Sequence, residues 1–97
     1  MKKALKLNPK DNLAVVLEIV NVGDQVQVGD QVITAVTDVP MPHKIALTDI
    51  AVDETVYKYG APIGYATVAI KTGEHVHTQN LDLARLFEDL SNKKTIS

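Results

Sequence analysis

The chain contains no cysteine and no tryptophan, and only one phenylalanine and three tyrosines among its 97 residues. Without thiols there are no disulfides, no thiolate zinc site and no cysteine nucleophile. A charge excess is also missing: ten Lys and Arg against twelve Asp and Glu leave a net charge of −2. A broad basic face for nucleic acid is therefore not expected. Long apolar runs are lacking too, since Leu13 to Leu17 falls far short of the roughly 20 residues that cross a bilayer. Met1-Lys2-Lys3 is basic, but Asn8, Pro9, Lys10, Asp11 and Asn12 interrupt any signal-peptide core. The expectation is one cytoplasmic domain without a membrane segment, its core over about residues 8–90 and a frayed tail over 91–97.

What is present reads mainly as short strands. Leu13 to Val20 follows turn chemistry at residues 8–12 and is rich in Leu, Val and Ile. Gly23-Asp24-Gln25-Val26 recurs as Gly29-Asp30-Gln31-Val32, which reads as two turns flanking a short strand rather than as a repeat architecture. Gln31 to Val36, His43 to Leu47, Glu54 to Tyr59 and Ile63 to Ile70 are further strand candidates. Asp38-Val39-Pro40-Met41-Pro42 breaks regular structure, because proline cannot donate to a ladder.

One segment reads as a helix. Leu83, Leu86, Phe87 and Leu90 fall at i, i+3, i+4, i+7, the stripe of an amphipathic helix that covers a small sheet or meets a partner. Asn80 is the expected N-cap, Asp82 lies in the expected first turn, and Lys93 and Lys94 fall past the expected end.

The chemistry-bearing residues concentrate between Pro42 and Asn80. Lys58-Tyr59-Gly60-Ala61-Pro62-Ile63-Gly64 is a glycine-pinned loop, in which Gly60 and Gly64 are structural and Tyr59 is a candidate ligand contact. Gly73-Glu74-His75-Val76-His77-Thr78-Gln79-Asn80 carries two of the three histidines. Residues two apart share a face of a strand, so His75 and His77 converge if that segment is extended. Taken singly, His75 reads as a surface residue, and the acids are scattered through turns with no cluster at ligand spacing.

His43-Lys44-Ile45-Ala46-Leu47, Lys58-Tyr59-Gly60 with Ile63-Gly64, and Gly73-Glu74 with Val76-His77-Thr78-Gln79-Asn80 together resemble the amino-terminal, SAF-type domain of altronate and galactarate dehydratases. The resemblance spans roughly Asn8 to Leu81. It implies a mainly β, β-clip fold of short strands with one C-terminal helix. It also implies a hydro-lyase component that forms a lid or wall over an active site shared with a large dehydratase subunit. Iron(II) or manganese(II), held mostly by that partner, would be the cofactor.

On this reading His43, Lys44 and His77 are the catalytic candidates, with His77 also a metal ligand. Tyr59, Gln79 and Asn80 are the substrate contacts. The family's His-Thr-His-Asn is His77-Thr78-Gln79-Asn80 here. Gln79 hydrogen-bonds a sugar hydroxyl readily but is a poor transition-metal ligand and no base. Two alternatives stay open: the small subunit of a sulfolactate sulfo-lyase, and a non-catalytic carbohydrate-binding module. Self-association through sheet edges or the helix stripe is a further expectation.

Overall fold

The computed structural model describes residues 1–96, with side chains described for residues 1–91. Nine short strands precede one helix: β1 (Lys2–Leu5), β2 (Leu13–Val16), β3 (Gln25–Val28), β4 (Gln31–Thr34), β5 (Lys44–Ala46), β6 (Thr55–Lys58), β7 (Ala61–Ala66), β8 (His75–Val76), β9 (Leu81–Asp82) and α1 (Leu83–Ile96). They form a six-stranded sheet, in the order β4-β3-β1-β2-β5-β8, and a three-stranded sheet, β6-β7-β9. This is the small β-rich fold with a terminal helix that the sequence implies, and no described helix is long and apolar enough to cross a membrane.

Strand alternation builds two cores. In β5, Ile45 points into one cluster with Val16, Val26 and Ile33, while its neighbour Ala46 points into a second with Leu13, Ile50, Val56 and Ile70. At Ile45 and Ala46, β5 is thus a partition wall buried on both sides, while Lys44 at its start stays half-buried.

Four turns share one construction that residue identity conceals. Val20, Val39, Ile50 and Ile70 are buried and bridge in pairs, Val20 with Val39 and Ile50 with Ile70. Each begins a turn closed by a backbone hydrogen bond: Asp24 N–H to Asn21 O, His43 N–H to Pro40 O, Glu54 N–H to Ala51 O and Glu74 N–H to Lys71 O. In three of the four, the last side chain accepts from the first backbone N–H, so Asp24, Glu54 and Glu74 cap Asn21, Ala51 and Lys71. The second turn differs because Pro40 has no N–H to cap. Its fourth residue is His43, and that side chain is free for other work.

Two aspartates outside these turns lock the pairs together. Asp38 accepts from the Val22 N–H, and Asp49 accepts from both the N–H and hydroxyl of Thr72. A buried Asp11 carboxylate takes the N–H groups of Tyr59 and Gly60 at 3.0 and 2.8 Å, and Asn12 bonds both Tyr57 N–H and Thr55 C=O. The turn at residues 8–12 is therefore the anchor of the β6–β7 hairpin, a role its turn chemistry did not reveal.

Several boundaries depart from the sequence reading. β1 lies outside the expected core yet sits mid-sheet, parallel to β3 and antiparallel to β2. β2 ends at Val16, because the chain turns toward the Val20 bridge. β7 ends at Ala66 rather than Ile70 for the same reason, Ile70 being the anchor of a turn. The helix continues through residues 91–96, where a frayed tail was expected, and Lys93 and Lys94 lie inside it. Ser97 lies outside the described residues. Asn80 does not cap α1; Asp82 does, its Oδ1 accepting from the Arg85 N–H at 2.9 Å. Asn80 precedes Leu83 by too much chain to reach the helix's first N–H groups.

Candidate functional site: a histidine cluster beside two lysines

β5 and β8 pair antiparallel with Ile45 opposite His75 and Lys44 opposite Val76. That register brings His43, at the mouth of β5, against His75 and His77. The Nδ1 of His43 lies 2.8 Å from the Nε2 of His75. Ring centroids are 5.0 Å apart for His43–His75, 4.3 Å for His43–His77 and 5.8 Å for His75–His77. One nitrogen from each ring can be chosen so that all three lie within 4.8 Å of one another, and all three side chains are half-buried. The sequence reading of His75 as a surface residue, and of the chain as lacking a ligand cluster, is thereby corrected. The cluster depends on a strand pairing between residues 32 apart, which local spacing does not show.

Asn80 sets the shape of the histidine segment. It is 1% exposed, accepts from the His77 N–H at 2.9 Å and donates to the His75 C=O at 2.8 Å. Its own N–H bonds the His77 C=O, closing the turn. Both ends of its carboxamide are therefore committed to holding the backbone of the two histidines. The Thr37 hydroxyl accepts from the His75 N–H and fixes the start of β8. Exposed Gln79 turns back onto His75, its Nε2 3.3 Å from the ring Nδ1 and 3.2 Å from the C=O.

Beside the cluster, Lys44 and Lys58 share a cavity of about 240 Å³ with His77, Thr78 and Ile63. Burial, and then the charge of Lys58, hold the Lys44 ammonium below its usual pKa. Among the described residues neither lysine forms an ion pair. Burial also lowers the pKa of His75, helped by His43, His77 and Lys44, so the neutral imidazole is favoured. The site thus offers cationic groups and imidazole nitrogens, and among the described residues no carboxylate is in hydrogen-bond contact with the rings.

The remaining candidates fall around this centre. Lys58, which the sequence reading passed over, reaches the cavity from the end of β6, while Tyr59 is exposed and lies under the Lys58 ammonium at 4.8 Å from ring centroid. Tyr59 has φ 57° and Gly60 has φ 75°, a left-handed pair held by Asp11. Gly64 allows close approach: a Cβ there would stand 2.8 Å from the Asp82 C=O. The glycine loop therefore shapes one wall through Lys58 and Ile63 rather than through Tyr59.

The residues present fit a borderline transition metal. Three imidazoles suit iron(II), cobalt, nickel, copper or zinc, whereas manganese(II) favours oxygen donors that this cluster lacks. Of the metals the resemblance implied, iron(II) is the better match to the donor set.

With this geometry in view, comparison with known proteins gives a consistent result. The family model described as the altronate/galactarate dehydratase SAF domain matches residues 2–84. Altronate dehydratase of Escherichia coli is 47% identical over 76 residues, covering 78% of this chain and 15% of that protein. Altronate dehydratase of Bacillus subtilis is 35% identical over 80 residues, 82% of this chain and 16% of the relative. The alpha subunit of (2R)-sulfolactate sulfo-lyase from Chromohalobacter salexigens is 47% identical over 47 residues, 48% of this chain and 50% of the relative. The chain spans about one-sixth of the length of the dehydratases it matches. Its strand pattern, its His-Lys-Ile-Ala-Leu and Lys-Tyr-Gly blocks and the family match agree: this chain belongs to the altronate/galactarate dehydratase SAF domain family.

Proposed function

We propose that this chain is the small component of a cytoplasmic hydro-lyase, forming one wall of an active site that a larger partner completes. Its substrate is a hydroxy-acid anion such as altronate. The observation that carries this reading is the convergence of Lys44 and Lys58 on the cavity that also presents His77. Two unpaired cations facing one recess attract a carboxylate, and a neutral polyol would not repay their desolvation. That disfavours a plain carbohydrate-binding module.

The reaction removes the proton alpha to the carboxylate and expels the beta hydroxyl as water, leaving an enol that becomes a 2-keto acid. In this chain the two lysines hold the anionic end, and His77 or His43 lies within the same site to accept or return a proton. A divalent metal, when bound, supplies Lewis acidity toward the developing enolate. Among the described residues no carboxylate joins the three-histidine cluster, so the complete acid–base set requires the partner. The short share of the dehydratases' length that this chain spans supports the same division of labour. The exposed side of α1, with Leu83, Phe87 and Leu90, is where we place the contact with that partner.

Sulfolactate sulfo-lyase chemistry is the second reading, favoured by one observation. Two sulfo-lyase alpha subunits match this chain, which spans 50% and 79% of them, so the domain is found there as a separate small subunit. The dehydratase reading is preferred because those relatives match 78% and 82% of this chain, against 48% and 55% for the sulfo-lyases.

The test is turnover with the chain alone, with its large partner alone, and with both, on altronate and on sulfolactate. Activity only in the mixture is expected, with KM raised at least tenfold by the double substitution Lys44→Met and Lys58→Met. Full activity of the large partner alone, or an unchanged KM in the double variant, would overturn the reading.

A further inference from the structure

We infer that His43, His75 and His77 form a transition-metal site that belongs to this chain itself, with three nitrogen ligands, beside the Lys44–Lys58 recess that His77 also lines. The inference does not depend on the lyase reading, since it concerns metal binding by the isolated chain.

Three independent features of the fold converge on it. The second of the four turns carries Pro40, which needs no cap, so His43 is released where its counterparts Asp24, Glu54 and Glu74 are tied to backbone N–H groups. The β5–β8 register then sets His43 against His75, with Nδ1 and Nε2 already 2.8 Å apart. Finally, buried Asn80 grips the backbone of both His75 and His77, so the two positions from which the second and third rings project are fixed relative to each other. A hydrophobic core has no use for this arrangement: three half-buried imidazoles lie within hydrogen-bond or stacking distance, and among the described residues no carboxylate joins them.

The donor set defines the class of ion. Metal–nitrogen bonds of about 2.0–2.1 Å place ligating nitrogens roughly 3–3.5 Å apart, which the rings reach from their present separation by side-chain rotation. Three neutral nitrogens and no oxygen select iron(II), cobalt, nickel, copper or zinc over magnesium, calcium or manganese. Three protein ligands leave at least one position for water or an exogenous anion, the pattern of catalytic rather than structural sites. Neutral ligands also leave the ion's full charge uncompensated beside two lysines, so an anion is the natural additional ligand. The Gln79 Nε2 stands against the His75 Nδ1 while donating to the same residue's C=O, which makes Gln79 the side chain placed to hold that ring's orientation.

Cobalt(II) added to the chain, purified without a polyhistidine tag, tests the inference through visible absorption and calorimetry, with circular dichroism as the check on folding. One equivalent is expected to bind, with ligand-field bands in the visible and a raised melting temperature. His43→Gln, His75→Gln and His77→Gln should each weaken binding more than about tenfold, while magnesium produces no effect. Cobalt binding that survives His75→Gln unchanged, or no binding by a chain that circular dichroism shows to be folded, overturns the site. If a glutamine variant fails to fold, zinc competition against cobalt on the parent chain decides: zinc that cannot displace the bands refutes a shared nitrogen site. Because turnover is not measured, a negative result here leaves the anion-binding reading standing, and a failed turnover assay leaves this site standing.

Discussion

His43 and His75 stand 32 residues apart in the chain, yet their ring nitrogens approach to 2.8 Å. Two separate facts of the fold produce that contact. The β5–β8 pairing supplies proximity, and the proline at position 40 supplies the freedom, by removing the N–H that the fourth residue of the turn would otherwise cap. The histidine cluster forms where the repeated turn of this small domain breaks its own rule.

Asp11 should prove essential to the hairpin that carries Lys58. Its carboxylate is the acceptor for two adjacent backbone N–H groups, at Tyr59 and Gly60, and the residue is 5% exposed. Asp11→Ala orphans both donors, at about 1–3 kcal/mol for each buried unsatisfied group. Urea unfolding should show a loss of at least about 2 kcal/mol, and a midpoint equal to the parent's would show that Asp11 is not the anchor.

Gly73 should tolerate no side chain. Its φ is 88°, and a Cβ would stand 2.1 Å from the Thr34 C=O, a backbone atom that cannot swing aside. Gly73→Ala combines left-handed strain of about 1–2 kcal/mol with a steric clash that displaces the turn before β8. Both stability and cobalt binding should fall, because the displaced turn leads directly into His75. Thermal melting and the visible bands report the two effects, and a variant that melts with the parent would disprove the close approach.

Much of the architecture could be read from residue order. Gly23 and Gly29 flank β3 as their spacing implied, and the Leu83–Leu90 stripe is helical. What stayed hidden was non-local. Lys2-Lys3-Ala4-Leu5 buries only Ala4, so nothing in its composition marks a strand at mid-sheet. The four turns share an apolar anchor, and three of them a capping acid, but scarcely any identity, and similarity of that kind is geometric. Lys58 was passed over and His75 read singly as a surface residue because what matters at each is the residue that faces it, Lys44 in one case and His43 in the other. Asn80 and Asp82 illustrate a finer limit: both are good caps by type, and only the strand β9 between Asn80 and α1 decides which one reaches the helix.

Asp49 gives a pH-dependent stability whose sign follows from its hydrogen bonds. The Thr72 N–H and hydroxyl hold its carboxyl below the ordinary value, against an opposing effect of desolvation and with a lesser contribution from the charge of Lys71. A carboxyl depressed in the folded state contributes stability that is fully present above its unfolded pKa and disappears as pH falls through the folded one. Asp49→Asn keeps an acceptor but no charge. The parent's melting temperature should exceed that of the variant at neutral pH, and the gap should close in strongly acid solution. A gap that widens on acidification would mean that the charged form is not the favoured one.

Phe87 separates stability from assembly. It is 71% exposed on α1, beside Leu83 and Leu90 and the Pro62–Ile63 edge of β7, and only Leu86 of the stripe is buried. A ring so exposed contributes little to folding of this chain, so Phe87→Asp should leave the melting temperature within about 1–2 °C, in line with the small effect of ordinary surface substitutions. The same change puts a charge in the middle of the face assigned to the large partner, where desolvating it costs several kcal/mol. Co-purification should fail and the mixed-chain turnover should fall with it, while cobalt binding by the isolated chain stays intact. Retained co-purification would move the contact off this face and toward the sheet edges. Self-association detected by sedimentation in the parent and lost in Phe87→Asp would instead assign the same face to a second copy of the chain.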